Sequence, residues 1–269
     1  MSLPLIVKSK LFWKYNGQLD CCWYLGWGDG TSVAKQNAYI DDMDRFGIDT
    51  ITLNLLNEGI SSPFNGEFMN SSLNQQKVDL MFGFIDRLKA RGKIVVIVFF
   101  DCPRDDKGKY PFWKFTDRIG PFLEIATKAF APKVDGFIIG IETNRGPTIT
   151  TGRGLSIEEI DMGIGLVQQF AVRTVNGVEH KLPVGTHEQS YRIPSKADFI
   201  GYETKNHPVN QGDSTSVAGM VADVQGLVNV AGGKPVWVIE SNSSEGSTAK
   251  AQNNAMANIP GVVGIGGPL

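Results

Sequence analysis

The chain has 269 residues, of which 42% are hydrophobic and 20% charged, and its formal net charge at pH 7 is −2. This composition is that of an ordinary globular protein, and the length allows one large hydrophobic core. The small net charge argues against nucleic acid or an anionic membrane as the main partner. No apolar run approaches the about 20 residues that a transmembrane helix needs, so no membrane-spanning segment is expected either.

The N-terminal segment and the cysteines bear on the compartment in which the protein works. The apolar patch within Met1–Lys8 is too short for the central region of a secretion signal, and no clear cleavage site follows it. The cysteines are odd in number, and two of them are adjacent: Cys21, Cys22 and Cys102. A disulfide framework is therefore not expected, and a cytoplasmic or virion-associated location is favoured over secretion.

Apolar runs rich in β-branched and aromatic residues recur along the chain and predict eight strands. In chain order, these strands are Cys22–Trp27, Thr50–Leu55, Ile94–Phe100, Gly136–Ile141, Leu182–Thr186, Phe199–Tyr202, Val236–Ile239 and Val262–Ile265. Between most of them, apolar residues recur at three- and four-residue spacing, which predicts amphipathic helices. The helical segments are Val33–Phe46, Gln75–Arg91, Thr116–Phe130, Ser156–Val175, Ser216–Val230 and Ser247–Asn258.

Two helix boundaries carry specific signals. Ser156-Ile-Glu-Glu159 has the pattern of a capping box and predicts a helix start. Gly92 follows a helical segment and precedes the third strand, where it predicts a helix end.

The alternation of strands and helices predicts a (β/α)8 (TIM) barrel of the α/β class, formed by residues 1–269 as one domain. Two segments depart from the full pattern. The crossover 189–198 contains Pro194 and has room for one helical turn at most, so a reduced fifth helix is expected. The chain also ends directly after the eighth strand, so we expect no eighth helix and a domain cut from a longer polypeptide.

Two glutamates follow apolar runs that are typical of core strands. Glu142 follows the strand 136–141, Glu240 follows the strand 236–239, and each precedes a polar, turn-prone segment. Parallel barrels keep their chemistry at the carboxyl ends of their strands, so we expect both carboxylates at one rim. Two carboxylates facing one sugar are the minimal equipment of a glycoside hydrolase.

The pleating of a strand predicts which residues share the inner face with these glutamates. If both glutamates face the interior, Ile138 and Gly140 do so on one strand, and Val236 and Val238 do so on the other. All four side chains are small or branched enough to fill a barrel interior, which is consistent with inward glutamates.

These segments resemble the strand ends of a large clan of retaining glycoside hydrolases with (β/α)8 barrels, which includes cellulases, mannanases and β-galactosidases. In that clan, an acid/base glutamate ends the fourth strand and a nucleophilic glutamate ends the seventh. Those positions match Glu142 in Ile-Gly-Ile-Glu-Thr-Asn and Glu240 in Val-Trp-Val-Ile-Glu-Ser. The segment 197–202 looks like the sixth strand, which often supplies a tyrosine that hydrogen-bonds the nucleophile. The resemblance implies that Tyr202 plays this role, with Glu203 as a rival inward residue.

The resemblance implies a double-displacement mechanism without a cofactor. Ionised Glu240 attacks the anomeric carbon while protonated Glu142 gives its proton to the leaving oxygen, and Glu142 then activates water. Burial or a nearby negative charge must raise the pKa of the acid, whereas hydrogen-bond donors must keep the nucleophile ionised. Tyr202 and His187 are the expected donors.

Other side chains at the predicted rim suit a carbohydrate partner. Polar residues that could contact sugar hydroxyls are His187, Glu203, Asn54, Asp101 and Asn144. Aromatic rings that could stack on a sugar face are Trp27, Trp113 and Tyr191. The three histidines have no paired spacing, so no metal site is predicted, and no phosphate-binding glycine loop predicts a nucleotide cofactor. Other domains of a longer polypeptide are the remaining expected partners.

Two other functions fit the same pattern. A sugar-binding or structural barrel without turnover, as one module of a larger surface or virion assembly, would keep the fold and lose the chemistry. A barrel enzyme could instead use Glu142 or Glu203 as a proton-abstracting base on a small metabolite. Release of reducing ends from a glycan distinguishes the hydrolase from both.

Overall fold

A computed structural model describes residues 9–11, 33–45, 47–55, 73, 75–100, 119–141, 155–204, 216–240 and 247–266. Within these ranges, the strands are β1 (Ser9–Leu11), β2 (Thr50–Asn54), β3 (Ile94–Phe100), β4 (Gly136–Ile141), β5 (Val172–Val175), β6 (Val178–Lys181), β7 (Val184–Glu188), β8 (Phe199–Glu203), β9 (Val236–Glu240) and β10 (Val262–Gly266). The helices are α1 (Val33–Arg45), α2 (Gln75–Ala90), α3 (Ile119–Phe130), α4 (Ile157–Phe170), α5 (Val217–Val230) and α6 (Ser247–Ala257).

Eight of these strands form one parallel sheet in the order β1-β10-β9-β8-β7-β4-β3-β2. The two end strands, β1 and β2, come within 8 Å of each other between Cα atoms, so the sheet curls towards closure. The predicted (β/α)8 architecture is confirmed, with β4, β7, β8 and β9 as its fourth to seventh strands. No helix within the described ranges is long and apolar enough to cross a bilayer.

The predicted first strand, fifth crossover and chain end can be compared with the structure. The first barrel position, beside β10, is held by Ser9–Leu11, which the sequence pattern did not predict as a strand. The predicted first strand, Cys22–Trp27, lies outside the described residues. Residues 189–198 contain no helix, so the reduced fifth crossover is confirmed. The segment after Gly266, on which the eighth helix depends, is also outside the described residues.

A β-hairpin replaces the predicted end of the fourth helix. Helix α4 ends at Phe170 rather than at Val175, and β5 pairs antiparallel with β6. Asn176 and Gly177 form the turn with φ of 50° and 75°, a left-handed conformation that these two residue types adopt readily. An Asn-Gly pair between two β-rich segments is a strong hairpin signal, and it outweighs the helical periodicity that runs up to it.

Both predicted helix boundaries are confirmed. Ser156 is the N-cap of α4: its Oγ accepts from the Glu159 N–H at 3.2 Å, and the Glu159 carboxylate accepts from the Ser156 N–H at 2.7 Å. This capping box satisfies two N–H groups that the first turn leaves without helical partners. Gly92 follows α2 with φ of 71°, and its N–H donates to the Lys89 carbonyl.

The two faces of the barrel sheet have different neighbours. On the outer face, Phe99 of β3 packs edge-on against Phe122 of α3, with ring centroids 6.1 Å apart, and stacks on Phe137 of β4 at 5.4 Å. On the inner face, Phe199 of β8 lies against Trp237 of β9, with centroids 5.8 Å apart. Burial of each such side chain contributes about 1.5–3 kcal/mol, so both faces of the sheet are cores.

The inner face of β9 differs from the predicted one. Val236 and Val238 are in register with Ile200 and Tyr202 of β8. The Tyr202 hydroxyl reaches Asp223 of α5, so this set of side chains belongs to the helix side of the sheet. The expectation that the two valines fill the interior is therefore wrong.

A one-residue shift in the pairing of β9 with β8 explains this difference. Val238 is in register with Tyr202, but the next Cα partner of β8, Glu203, is in register with Glu240, so β9 contains one residue more than β8 in this stretch. An extra residue of this kind, as in a β-bulge, reverses the alternation beyond it. Strict alternation counted back from Glu240 therefore arrives at the wrong face.

Close approach of neighbouring strands on the inner face requires glycine. Ile138 is in register with Gly185 there, as predicted. A Cβ on Gly185 would lie 2.6 Å from the Phe199 ring, and a Cβ on Gly201 would lie 2.0 Å from the Thr186 carbonyl oxygen. The second contact is with backbone, which cannot turn aside as a side chain can.

We predict that Gly201→Ala lowers the free energy of unfolding by about 1–3 kcal/mol or more, because β7 and β8 must separate to admit the methyl group. Gly83→Ala in α2 is the matched control. Its new Cβ would meet only the Arg87 guanidinium at 3.6 Å, and alanine favours a helix by up to ~1 kcal/mol. Urea unfolding followed by circular dichroism measures both, and equal stability of the two variants would contradict the close packing of β7 on β8.

Candidate active site

The carboxyl ends of β7 and β8 bring two buried polar side chains together. Gln189 directly follows β7 and Glu203 ends β8, and they are 3% and 2% exposed. Nε2 of Gln189 donates to Oε2 of Glu203 at 2.9 Å. His187 of β7 is also buried and is in register with Gly201, one rank below this pair. The described part of the rim therefore contains a carboxylate held by an amide donor.

Glu240 ends the seventh barrel strand next to this pair. It is in register with Glu203, and neighbouring strands of a sheet lie about 4.8 Å apart. The fourth strand ends at Ile141, and Glu142, which follows it, lies outside the described residues. The distance between the carboxyl groups of Glu142 and Glu240 therefore stays a prediction.

The structure corrects the role expected for Tyr202. Its hydroxyl lies 2.9 Å and 3.0 Å from the two carboxylate oxygens of Asp223 on α5. The side chain is fully buried between β8 and this helix, on the face opposite Glu203. Consecutive residues of a strand point to opposite faces, so the inward position at the end of the sixth strand belongs to Glu203 and not to Tyr202.

Asp223 gathers a second tyrosine. The Tyr191 hydroxyl, from the segment between β7 and β8, lies 2.9 Å from a carboxylate oxygen of Asp223 and 2.5 Å from its backbone carbonyl oxygen. Tyr191 is therefore tied to α5, which corrects its expected use as a sugar platform. Burial raises the pKa of Asp223, and the two tyrosine hydroxyls oppose that effect. Burial and the Asp223 carboxylate raise the pKa of Tyr191.

Asp223 could have been found from the sequence. It lies on the apolar stripe of α5 with Met220, Val224 and Leu227, all buried. A single acid on the core face of an amphipathic helix is unusual, because a buried carboxyl needs hydrogen-bond donors. The pattern therefore signals a buried polar contact, although it does not say which tyrosines supply it.

Of the other predicted site residues, one lies in a described strand and four do not lie in the described ranges. Asn54 ends β2, in register with Val98 of β3. Four further residues lie outside the described ranges, and their roles stay predictions: Asp101, Asn144, Trp27 and Trp113.

Glu188, on the helix side of the sheet, forms a buried ion pair with Arg192. It is in register with Tyr202 and fully buried, and Nη1 of Arg192 lies 3.3 Å from its Oε2. Arg192 also donates to the Leu155 carbonyl, just before α4. This ion pair anchors the β7 end to α4 and keeps Glu188 away from the interior. In the described ranges, no three His, Cys, Asp or Glu side chains are close enough to hold a metal ion.

Comparison with solved structures identifies proteins that share this fold. The chain aligns with GH5_18 from Streptomyces cattleya in complex with GlcNAc at a TM-score of 0.65 and 16% identity, over 97% of this chain and 70% of that one. GH5_18 from Bifidobacterium longum subsp. longum gives 0.66 and 14%, over 97% and 69%. The endo-1,4-beta-mannanase from Eisenia fetida gives 0.65 and 14%, over 97% and 84%. No protein-family model and no curated protein matches the sequence.

These neighbours are glycoside hydrolases of family GH5, a (β/α)8 clan. At identities of 16% and 14% the likeness establishes the fold, and the function must be argued from the site. The clan whose strand ends resemble the segments around Glu142 and Glu240 has the same (β/α)8 barrel. The chain therefore shares the (β/α)8 fold of these glycoside hydrolases at low sequence identity.

The raised pKa of Asp223 gives a pH dependence of stability that can be measured. The folded state binds the Asp223 proton more tightly than the unfolded state, so this stabilisation is present below about pH 4 and is lost as pH rises through the raised pKa. We predict that Asp223→Asn removes this loss, by about 1.4 kcal/mol for each unit of pKa difference.

Urea unfolding of wild type and Asp223→Asn between pH 4 and 8 tests this. The stability of the variant relative to wild type should improve as pH rises, whereas parallel curves would contradict the prediction. Asp79→Asn, on the exposed side of α2, is the control and should follow the wild type.

Proposed function

We propose that the chain is a retaining glycoside hydrolase in which Glu240 is the nucleophile and Glu142 is the acid/base. The observation that carries the proposal is the position of Glu240 at the carboxyl end of the seventh strand of a GH5-like barrel. Glu142 directly follows the fourth strand, which is where the resembled clan has its acid/base. Glu240 thus ends one strand and Glu142 follows another, and parallel barrel strands have their carboxyl ends at one rim.

The proposed reaction has two steps. In the first, a carboxylate oxygen of Glu240 forms a bond to the anomeric carbon, the glycosidic C–O bond breaks, and Glu142 donates its proton to the leaving oxygen. In the second, Glu142 takes a proton from water, the water oxygen attacks the anomeric carbon, and Glu240 leaves. This mechanism requires the two carboxyl groups to lie roughly 5–5.5 Å apart.

The described residues near Glu240 suit a polar substrate. Glu203 and Gln189 provide a carboxylate and an amide on the inner face at the rim end of the fifth and sixth strands. His187 lies one rank deeper. Sugar binding relies on many such donors and acceptors, and each must be satisfied either by substrate or by protein.

The neighbouring structures suggest the first substrates to test. GH5_18 proteins have been solved in complex with GlcNAc and with Manb1-4GlcNAc, and further neighbours are an endo-1,4-beta-mannanase and an exo-beta-1,4-mannosidase. We therefore propose β-1,4-linked mannosides as the substrate class. A panel that combines Manβ1-4GlcNAc, manno-oligosaccharides and gluco-oligosaccharides, read for release of reducing ends, tests this choice.

Two variants test the mechanism. We predict that Glu240→Gln abolishes hydrolysis but leaves substrate affinity within a few-fold, because the amide keeps the shape and loses the nucleophile. We predict that Glu142→Ala lowers kcat by roughly 10²–10⁴-fold, and that azide restores turnover of a substrate with a good leaving group by taking the place of the activated water. The rescued product should be a glycosyl azide of retained configuration.

The matched control is Glu179→Gln, on the exposed β5–β6 hairpin, which should keep wild-type kcat and KM. Wild type that binds oligosaccharides but never releases a reducing end would overturn the hydrolase and favour a sugar-binding barrel. Turnover of a small metabolite without a glycosidic bond would favour the third function instead.

A further inference from the structure

Two polar side chains at the rim lie on backbone that is held from the helix side of the sheet. Gln189 is two residues before Tyr191, and Glu203 directly follows Tyr202. Both tyrosine hydroxyls contact the carboxyl group of Asp223 on α5: that of Tyr191 at 2.9 Å, and that of Tyr202 at 2.9 Å and 3.0 Å. One side chain of α5 therefore reaches both chain segments that carry the Gln189–Glu203 pair.

Helix α5 also leaves room for the Tyr191 ring. Gly226 lies one turn after Asp223, and a Cβ there would lie 2.7 Å from the Tyr191 hydroxyl oxygen and 3.3 Å from two carbons of its ring. The ring thus lies against the helix at a position where glycine permits the close approach. The Tyr191 hydroxyl is also 2.5 Å from the Asp223 carbonyl oxygen, so carboxyl group and backbone of α5 both hold this side chain.

The crossover that carries Gln189 has no helix of its own, since residues 189–198 are irregular. A helix fixes its backbone through its own hydrogen bonds, whereas an irregular segment needs partners from elsewhere. The far end of this crossover is held by α4, where Asp161 accepts from the N–H and the hydroxyl of Ser195 at 3.0 Å and 2.8 Å. The end with Gln189 is tied to α5 through Tyr191.

A packing role alone does not require an acid at position 223. Asp223 is 2% exposed and lies on the apolar stripe of α5. A leucine, which branches at the same carbon, would avoid the cost of burying a carboxyl group there. What an apolar side chain does not supply is direction, because hydrogen bonds fix distances and angles whereas hydrophobic contacts are non-directional.

We propose that Asp223 is a positioning residue: through the two tyrosines it fixes the backbone on which the Gln189–Glu203 pair lies. The proposal rests on the proposed function, in which this pair belongs to the polar rim beside Glu240. Misplacement of an active-site group by about 1 Å can lower a rate by about 10²-fold. The contacts of Asp223 therefore bear on turnover, although Asp223 itself lies on the helix side of the sheet.

The side-chain amide of Gln189 reports the position of the pair without any turnover. Its NH₂ signals can be assigned by comparison with Gln189→Leu, and their exchange with water can be followed by NMR. Because this amide is buried and donates to Glu203, we expect slow exchange in wild type. The apolar triple variant, Asp223→Leu with Tyr191→Phe and Tyr202→Phe, should speed this exchange by about tenfold. Replacing buried polar partners together by apolar groups of similar shape is nearly neutral for stability, so this variant should fold.

Gly226→Ala gives the same prediction with Asp223 and both tyrosines in place. Its new methyl group must displace the Tyr191 ring, so exchange at Gln189 should speed up even though alanine favours a helix more than glycine does. Gly83→Ala in α2 is the matched control, because its methyl group would meet only the Arg87 guanidinium at 3.6 Å.

Ser195→Ala is a second control, because it removes a contact at the other end of the same crossover. Neither control should change the exchange at Gln189.

Kinetics test whether the effect reaches turnover. We predict that the apolar triple variant and Gly226→Ala each lower kcat/KM by about tenfold or more. Asp223→Asn keeps a hydrogen-bonding group opposite each tyrosine hydroxyl and should retain most of the activity. If Asp223 acts through the pair, adding Gly226→Ala to Gln189→Leu should cause no further loss, whereas a merely structural role would make the two losses multiply.

Unchanged exchange at Gln189 in both the apolar triple variant and Gly226→Ala would overturn the inference. The proposed hydrolase stands in that case if wild type releases sugar and Glu240→Gln does not. Faster exchange with unchanged kcat/KM would also overturn the role of Asp223 in the active site. Conversely, faster exchange in a protein that hydrolyses no glycan would retain the positioning of the pair and reject the function. If circular dichroism shows that the triple variant does not fold, Gly226→Ala decides.

Discussion

The inner face of the barrel depends on one constraint, which is the register between neighbouring strands. Side chains alternate along each strand, so a shift of one residue moves every later side chain to the other face. In β9 such a shift occurs between Val238 and Glu240, and it aligns Glu240 with Glu203. Without it, the position that ends the seventh strand would belong to the rank of Tyr202, which faces the helices. The arrangement of acids at the rim therefore follows from an irregularity of one residue.

The outer face is fixed by a different kind of contact, in which buried charges and hydroxyl groups tie strand ends to helices. Asp223 of α5 holds both Tyr202, from β8, and Tyr191, from the segment before it. Arg192, in the same segment, joins Glu188 to the Leu155 carbonyl, two residues before α4. The fifth crossover has no helix, and these polar contacts anchor it instead. These contacts on the helix side of the sheet fix the backbone on which Gln189 and Glu203 lie.

Much of the fold could be predicted from sequence, because continuous apolar runs and three- to four-residue periodicity survive any tertiary context. The positions at which the fourth and seventh barrel strands end, near Ile141 and Glu240, could be predicted from such runs. Face assignment could not, since it assumed strict alternation, and no local pattern marks the extra residue in β9. Tyr202 was misplaced because its role was taken from the resemblance to the clan's sixth strand, whereas its hydroxyl contacts Asp223 of α5. The Asn-Gly turn of the hairpin was readable in principle, but a longer helical pattern preceded it. The register of Glu203 with Glu240 could not be predicted, because it depends on how the two strands pair in the folded sheet.

The β5–β6 hairpin lies at the amino-terminal end of the barrel strands, since Arg173 of β5 contacts Asp135 and the Val134 carbonyl just before β4. Its tip, Asn176-Gly177, is exposed. Exposed turns tolerate inserted sequence better than packed elements do. The tip is therefore a natural attachment point for a fluorophore, an affinity peptide or a surface tether, which would leave the carboxyl ends of the barrel strands pointing away from the support.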